Sequence, residues 1–178
     1  MPVHLHLAQP AADPPSAAVA GRAIRVVLAD DHAQMRRSLR MLLDREDGVT
    51  VVAEAADVPT VMRHLRGHRP QVLVLDLRMP DGSSIGAIRD LRERMPSTEI
   101  VVVTMEASPA FAQQALAADA IGYVLKDTAD TELAEAVRRA ARHERYISPR
   151  VAGRFTGGRR VAGAARARYA LRRGLGGS

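Results

Sequence analysis

The chain has 178 residues, a formal net charge of +6 at pH 7 and no cysteine. This length accommodates one domain of typical size with some additional residues, whereas two full domains would be cramped. No apolar run is long enough to span a membrane, and the absence of cysteine excludes disulfides and thiolate metal sites.

The first 23 residues are predicted to form a disordered extension. Residues 18–20 (Ala-Val-Ala) are similar to a signal cleavage site, but no Lys or Arg precedes Arg22, and prolines and an aspartate interrupt residues 10–15. These features argue against a secretory signal peptide. We therefore expect a cytoplasmic protein.

From Ile24 onward, short β-rich runs alternate with stretches whose apolar residues recur at helical spacing. The β-rich runs are residues 24–29, 49–54, 71–76, 99–104 and 121–126. The intervening apolar stripes, such as Val58, Met62 and Leu65, have the period of amphipathic helices. Five strands and five helices in strict alternation predict an α/β domain with a doubly wound parallel sheet, right-handed crossovers and helices on both faces.

Polar or charged residues lie at the carboxyl ends of the predicted strands. The third strand, VLVLD, ends on Asp76, which by itself is better explained as a cap of the following turn or helix. However, Asp30 and Asp31 follow the first strand, the fourth ends on Thr104 and the fifth on Lys126. In an open parallel sheet these ends share one edge, which is where ligands bind.

Three carboxylates at one sheet edge repel one another unless a cation neutralises them. Carboxylate oxygens suit a hard ion, and Mg²⁺ is commonly completed by substrate phosphate. The sequence therefore predicts an acidic Mg²⁺ pocket formed by Asp30, Asp31 and Asp76. His32 would suggest a softer metal, but a place in the first turn of a solvated helix is the simpler interpretation.

Lys126 is the only lysine among 26 basic residues. Where arginine is so strongly favoured, a retained lysine indicates a compact ammonium acting as a point charge on phosphate, although chance survival is an alternative. Thr104 could donate a hydrogen bond to a phosphoryl oxygen, or could simply be a β-branched strand residue. Beside the three carboxylates, both residues favour a phosphate site.

These motifs resemble the receiver domains of two-component response regulators. The match runs through residues 29–32 (ADDH), 75–80 (LDLRMP), 103–104 (VT) and 122–127 (GYVLKD), and covers about residues 24–145. The Leu-Lys-Asp ending and residues 146–149 (YISP) are similar to the NarL-like branch, whose members usually carry a LuxR-type helix-turn-helix output domain. The resemblance implies a flavodoxin-like sheet with strand order 2-1-3-4-5.

By this resemblance, Asp76 accepts a phosphoryl group from the phosphohistidine of a sensor histidine kinase. Mg²⁺ would be held by Asp30, Asp31, Asp76 and the main-chain carbonyl of Arg78. The domain would be a phosphoacceptor in phosphorelay signalling rather than an enzyme with a substrate of its own.

The resemblance also assigns residues around the phosphoryl group. Thr104 and Lys126 would contact it, and Tyr123 would respond by moving its ring. The face formed by residues 107–142 would then change and carry partner contacts or a homodimer. From their places two residues beyond Asp76 and Thr104, we expect Arg78 and Glu106 to flank the phosphoryl group, where an ion pair between them could shield it from water and modulate its lifetime.

Two departures from the family concern loop shape. Asp119 stands where receivers often have glycine, at a position that favours left-handed geometry, and Ser84 replaces a frequent glycine after the third strand. Haloacid-dehalogenase-like phosphatases also form an aspartyl phosphate, but they need a second Asp where this chain has Arg78. A Rossmann domain is disfavoured because ADDH replaces the Gly-rich turn.

Residues 146–178 are predicted to be an Arg/Gly/Ala-rich tail without a folded output domain. Residues 150–178 contain eight Arg and no acid, whereas residues 24–149 contain 17 basic and 19 acidic residues. Too few residues follow Pro149 for a helix-turn-helix domain, and the expected Leu-Thr-x-Arg-Glu opening is absent. We therefore expect no sequence-specific DNA reading by this chain.

Two functional classes stay open, a switch that acts alone and a switch with a nucleic-acid-binding tail. The chain could be a stand-alone switch that acts through protein contacts. Its basic tail could bind nucleic acid weakly and without sequence preference, or the tail could be the solvated remnant of a linker. A truncated or frame-shifted relative of a transcription regulator would have the same sequence pattern.

Overall fold

The computed structural model describes residues 23–79 and 82–154. The predicted N-terminal extension and the part of the predicted tail beyond Arg154 lie outside these residues, apart from residue 23.

The described residues form an alternating series of strands and helices. In chain order these are β1 (Ile24–Ala29), α1 (Ala33–Leu43), β2 (Val49–Ala55), α2 (Val58–His68), β3 (Val72–Asp76), β4 (Arg78–Met79), β5 (Gly82–Ser83), α3 (Ser84–Arg94), β6 (Glu99–Thr104), α4 (Pro109–Ala117), β7 (Gly122–Leu125), a 3₁₀ turn (Lys126–Thr128), α5 (Ala129–Ala141), β8 (Tyr146–Ile147) and α6 (Pro149–Ala152). The five predicted strands are thus β1, β2, β3, β6 and β7.

The main sheet is parallel and has the order β2-β1-β3-β6-β7-β8. Its first five members confirm the predicted doubly wound sheet with order 2-1-3-4-5. The strands β4 and β5 form a separate antiparallel pair just after β3. No described helix is both long and apolar enough to cross a bilayer.

Helices cover both faces of the sheet, which explains the unbroken apolar run in β3. All five residues of β3 are buried. Leu73 and Leu75 belong to a core shared with α2, α3 and α4, whereas Val72 and Val74 belong to a core shared with α1 and α5. Because both faces are buried, the strand carries no polar alternation.

The sheet has a sixth strand that the sequence analysis did not predict. The amide of Tyr146 donates to the Ile121 carbonyl at 3.2 Å, and the amide of Ser148 donates to the Tyr123 carbonyl at 2.8 Å. The short helix α6 follows, and Val151 is fully buried. Residues 146–152, here called the strap, therefore pack on the domain, whereas the sequence pattern predicted them to be part of the tail. Two strand residues are too few to produce a periodic signal.

Asp119, which the sequence analysis singled out, follows α4 with φ of 81°. This is the left-handed region that glycine favours and that aspartate tolerates better than most other residues. The backbone thus has the left-handed turn here without the glycine.

Candidate functional site

The parallel register of β1 and β3 brings Asp30 and Asp76 together. Ala29, the last residue of β1, pairs with Leu75, so the next residue of each strand lies at the same sheet edge. Both aspartates are almost completely buried, with exposed fractions of 0% and 2%. Two carboxylates in such a position require compensating positive charge.

Lys126 supplies that charge. It follows β7, and its ammonium lies 2.7 Å from Oδ2 of Asp30 and 2.8 Å from Oδ2 of Asp76. Burial alone would lower the pKa of Lys126, but hydrogen bonds with the Asp30 and Asp76 carboxylates outweigh it, so the pKa lies above its ordinary value. The lone lysine is therefore a buried cation held between two strand-end carboxylates.

The acidic residues also fit a hard divalent cation. Asp30, Asp31, His32 and Asp76 each offer a ligand atom, and these atoms all lie within 4.8 Å of one another. His32 is turned to solvent, with 71% of its side chain exposed, and its Nδ1 bonds Asp31 at 2.6 Å. Three carboxylates form an oxygen-donor set of the kind that Mg²⁺ prefers, so the residues present fit that ion.

Arg78 contacts Asp76 through its backbone. Its amide donates to Oδ1 of Asp76 at 3.2 Å. The role predicted for the main-chain carbonyl of Arg78 stays a prediction.

A hydrogen-bonded path links Thr104 to Tyr123 through Glu106. The Glu106 amide donates to the Thr104 hydroxyl at 3.2 Å, and the Tyr123 hydroxyl donates to the Glu106 carbonyl at 2.7 Å. Tyr123 is fully buried, and burial, assisted by the Glu106 charge, raises the pKa of its phenol. Tyr123 is thus connected to the site without lining it.

An open cleft of about 260 Å³ leads to Asp76. Its other lining residues are His32, Arg78, Met105, Glu106 and Lys126. The predicted lifetime-modulating residues therefore do share the cleft, but the Glu106 carboxylate accepts the Ser108 amide at 3.0 Å, and no ion pair joins it to Arg78 in the described part of the chain.

Two residues near the site were missed by the sequence analysis. Arg36 donates to the main-chain carbonyl of Asp30 at 2.7 Å and to Glu54 at 3.2 Å, so it anchors the backbone that carries the first carboxylate. Met105, with an exposed fraction of 65%, lines the mouth of the cleft. The position of Met105 directly after Thr104 could have indicated that it lies near the site. Arg36 could not be recognised, because nothing in the sequence distinguishes it from the many other arginines.

Comparison with known proteins identifies the family. Residues 26–138 match the model of the response regulator receiver domain. The DNA-binding transcriptional activator DevR/DosR of Mycobacterium tuberculosis is 42% identical over 115 residues, which is 65% of this chain and 53% of that protein. The oxygen regulatory protein NreC of Staphylococcus carnosus is 36% identical over 129 residues, or 72% of this chain and 59% of that protein. The chain thus spans little more than half the length of these curated relatives.

Solved structures agree with the family model. A LuxR-family two-component response regulator from Aurantimonas sp. SI85-9A1 is similar with a TM-score of 0.70 and 37% identity, covering 74% of this chain and 94% of that chain. The isolated REC domain of RcsB from Salmonella enterica serovar Typhimurium, determined with phosphomimetic BeF₃⁻, is similar with a TM-score of 0.69 and 30% identity, covering 74% and 97%. On sequence and structure together, this chain belongs to the response regulator receiver domains, signalling domains of two-component systems, and its relatives are LuxR-type regulators.

Proposed function

We propose that this chain accepts a phosphoryl group on Asp76 from a sensor histidine kinase in the presence of Mg²⁺. The observation that carries the proposal is the buried group of Asp30, Asp76 and Lys126, with the ammonium 2.8 Å from Oδ2 of Asp76. The site opens through the cleft to solvent, so a phosphohistidine can approach the carboxylate.

In the proposed reaction, an oxygen of Asp76 forms the new P–O bond as the P–N bond of the phosphohistidine breaks. The other ring nitrogen of the phosphohistidine carries a proton before the transfer, so when the electron pair of the P–N bond returns to the ring, the imidazole leaves in its neutral form. Lys126 then shifts its hydrogen bond from the Asp76 carboxylate to a phosphoryl oxygen. In the unmodified chain the Thr104 hydroxyl accepts the Glu106 amide, so its own proton can be donated to a second phosphoryl oxygen.

Asp30, Asp31, Asp76 and the main-chain carbonyl of Arg78 would hold the Mg²⁺. When bound, the ion neutralises negative charge on the oxygens of the transferring group.

Intact-mass measurement after incubation with a small phosphodonor tests this function. We expect one added phosphate that requires Mg²⁺ and is absent from Asp76→Asn, because the amide cannot act as the nucleophile. Asp90→Asn, an exposed position on α3, should label like the parent chain. Undiminished labelling of Asp76→Asn would refute the proposal.

Arg78 and Glu106 are proposed to set the lifetime of the phosphoryl group, since both line the cleft through which water reaches Asp76. Glu106 is held by Ser108, so the two residues would act separately rather than as an ion pair. A change of about 1.4 kcal/mol in the barrier is tenfold in rate. Equal dephosphorylation rates of the parent, Arg78→Ala and Glu106→Gln would exclude this role.

The output is proposed to run through the face of residues 107–142, by contact with a partner protein or a second copy. Two RcsB dimers bound to two parallel DNAs are among the similar structures, with a TM-score of 0.69 and 30% identity, which supports self-association in this branch. We further propose a cytoplasmic regulator of transcription. A second copy should associate more strongly after phosphorylation. Light scattering, which reports the average molar mass in solution, compares the phosphorylated and unphosphorylated chains.

A further inference from the structure

The hydrogen-bonded path behind the site continues beyond Tyr123 to the strap. The Tyr123 hydroxyl donates to the Glu106 carbonyl, and the Tyr123 carbonyl accepts the amide of Ser148 at 2.8 Å. The Ser148 hydroxyl then donates to Oε2 of Glu132 at 2.6 Å. Tyr123 therefore joins two sets of hydrogen bonds, one from its hydroxyl to Glu106 and Thr104 at the end of β6, and one from its main-chain carbonyl to the strap at the outer edge of the sheet.

The strap is also held by packing and charge. Val151 is fully buried in the same apolar cluster as Tyr123, Ala112 and Ala115, so α6 packs against α4. Arg150 forms an ion pair with Asp127, the neighbour of Lys126. These contacts tie the strap to the β7 edge, to α4 and to the start of α5.

We propose that the strap is a latch that phosphorylation of Asp76 loosens, so that the site controls how firmly the chain from residue 146 onward is held to the domain. The inference rests on the proposed phosphorylation. It goes further because it places the moving element outside the face of residues 107–142.

Phosphorylation is expected to loosen the strap, not to tighten it, because the hydrogen bonds that hold it are already formed in the unmodified chain. Every link between Thr104 and Ser148 is already formed in the unmodified chain. When the Thr104 side chain moves toward the phosphoryl oxygen to which its hydroxyl donates, its oxygen moves away from the Glu106 amide, and the bond that it accepts at 3.2 Å lengthens. Glu106 supports the Tyr123 hydroxyl, so the disturbance reaches the strap and weakens its docking, which is a shift between two states.

Hydrogen exchange of the full chain, with and without Mg²⁺ and beryllofluoride, tests the latch. The amides of Ser148 and of residues 151–154 all donate hydrogen bonds, so their exchange reports strap docking. We expect exchange at residues 148–154 to become at least about 5-fold faster with the analogue bound, the lower end of usual coupling. Fluorine NMR reports analogue binding independently.

The outcomes separate the two proposals. Bound analogue with unchanged exchange at residues 148–154 overturns the latch and leaves the phosphorylation site standing. Failure to bind the analogue in the presence of Mg²⁺ overturns both.

Reciprocity gives a second test, because coupling between two binding equilibria acts equally in both directions. Ser148→Ala removes the bond to Glu132 and should loosen the strap, so the analogue should bind more tightly. Val151→Ala should act in the same direction by removing packing. The control is Ser38→Ala, since Ser38 is an exposed residue of α1 whose hydroxyl bonds the Gln34 carbonyl. Analogue affinity equal to the parent in both strap variants, with faster strap exchange, overturns the coupling.

Tyr123→Phe tests the path itself. It keeps the main-chain bond to Ser148 but removes the hydroxyl bond to Glu106. At saturating analogue, the exchange at residues 148–154 should no longer respond. A response equal to that of the parent chain would overturn the path through Tyr123.

Discussion

At the scale of single residues, the site is a small group of charges removed from water. Asp30 and Asp76 carry two negative charges, and Lys126 supplies one positive charge at 2.7 and 2.8 Å. Their side chains are 0%, 3% and 6% exposed. The group therefore retains a net negative charge that, together with Asp31 at the rim, favours a divalent cation.

Replacing Lys126 should show how far the folded state depends on its positive charge beside the two buried carboxylates. Lys126→Met leaves two buried carboxylates without compensation, so the free energy of unfolding without divalent cation should fall by about 3 kcal/mol. Added Mg²⁺ should restore part of the loss. Urea denaturation with and without Mg²⁺ measures both effects. Arg94→Met, an equal charge change at an exposed position, should stay within about 0.5 kcal/mol, and an equally stable Lys126→Met would contradict the prediction.

Tyr123 makes the stability depend on alkaline pH. Burial raises its phenol pKa in the folded chain, whereas the unfolded phenol ionises near pH 10. The stabilisation is therefore complete below about pH 10 and is lost as the pH rises further. Between about pH 9 and pH 11, the parent should lose about 1.4 kcal/mol more than Tyr123→Phe. Tyr146 is present in both chains, so denaturation at the two pH values isolates Tyr123, and parallel losses would refute this assignment.

Much of the site could be predicted because each strand end marks a place in the sheet. Once five parallel strands were recognised, Asp30, Asp76 and Lys126 had to share one edge. The Glu106 link between Thr104 and Tyr123 could not be predicted, because it uses a main-chain carbonyl and amide that carry no sequence signal. The role of Arg36 could not be predicted either, because it binds the main-chain carbonyl of Asp30, which likewise carries no sequence signal.

At the scale of elements, two glycines differ in the space that surrounds them, one in a strand and one in a helix. Gly122 of β7 faces Val101 of β6, where an added Cβ would meet both γ-carbons of Val101 at 3.0 Å. Gly67 of α2 has nothing within 4 Å of such a Cβ. These two glycines are thus present for different reasons, the first for a close approach between strands.

Alanine at the two positions should have opposite effects. Gly122→Ala should lower the free energy of unfolding by about 1–3 kcal/mol, because Val101 has to shift within a packed core. Gly67→Ala should raise it by roughly 0.4–1 kcal/mol, since alanine favours the helix and loses less entropy on folding. Thermal or urea denaturation of both variants checks this, and a Gly122→Ala chain as stable as the parent would show that β6 and β7 separate easily.

The strap is an element that the periodicity of the sequence does not predict. Strands β1, β3 and β6 have long buried runs whose pattern is visible in the sequence. Tyr146 and Ile147 form a strand only because Ile121 and Tyr123 offer carbonyls and because Val151 finds a buried place beside α4. Such contacts are tertiary, so local propensity does not indicate them.

At the scale of the whole molecule, positive charge is concentrated at one end of the sequence. Residues 24–149 contain 17 basic and 19 acidic residues, whereas residues 150–178 contain eight Arg and no acid. The two described members of this group are Arg150, which pairs with Asp127, and Arg154. The other six arginines follow residue 154.

These six arginines are expected to attract polyanions through counterion release, without sequence preference. A chain ending at Arg154 keeps the strap and should still be phosphorylated at Asp76, but it should lose most of the affinity for DNA. Binding by the full chain should fall steeply with salt, by a slope of up to about 5 in log K against log salt if each arginine neutralises one phosphate. Gel shifts with two unrelated duplexes over a range of salt measure both properties. Binding that survives the truncation, or that strongly prefers one duplex, would show that the nucleic-acid contact lies in the described domain instead.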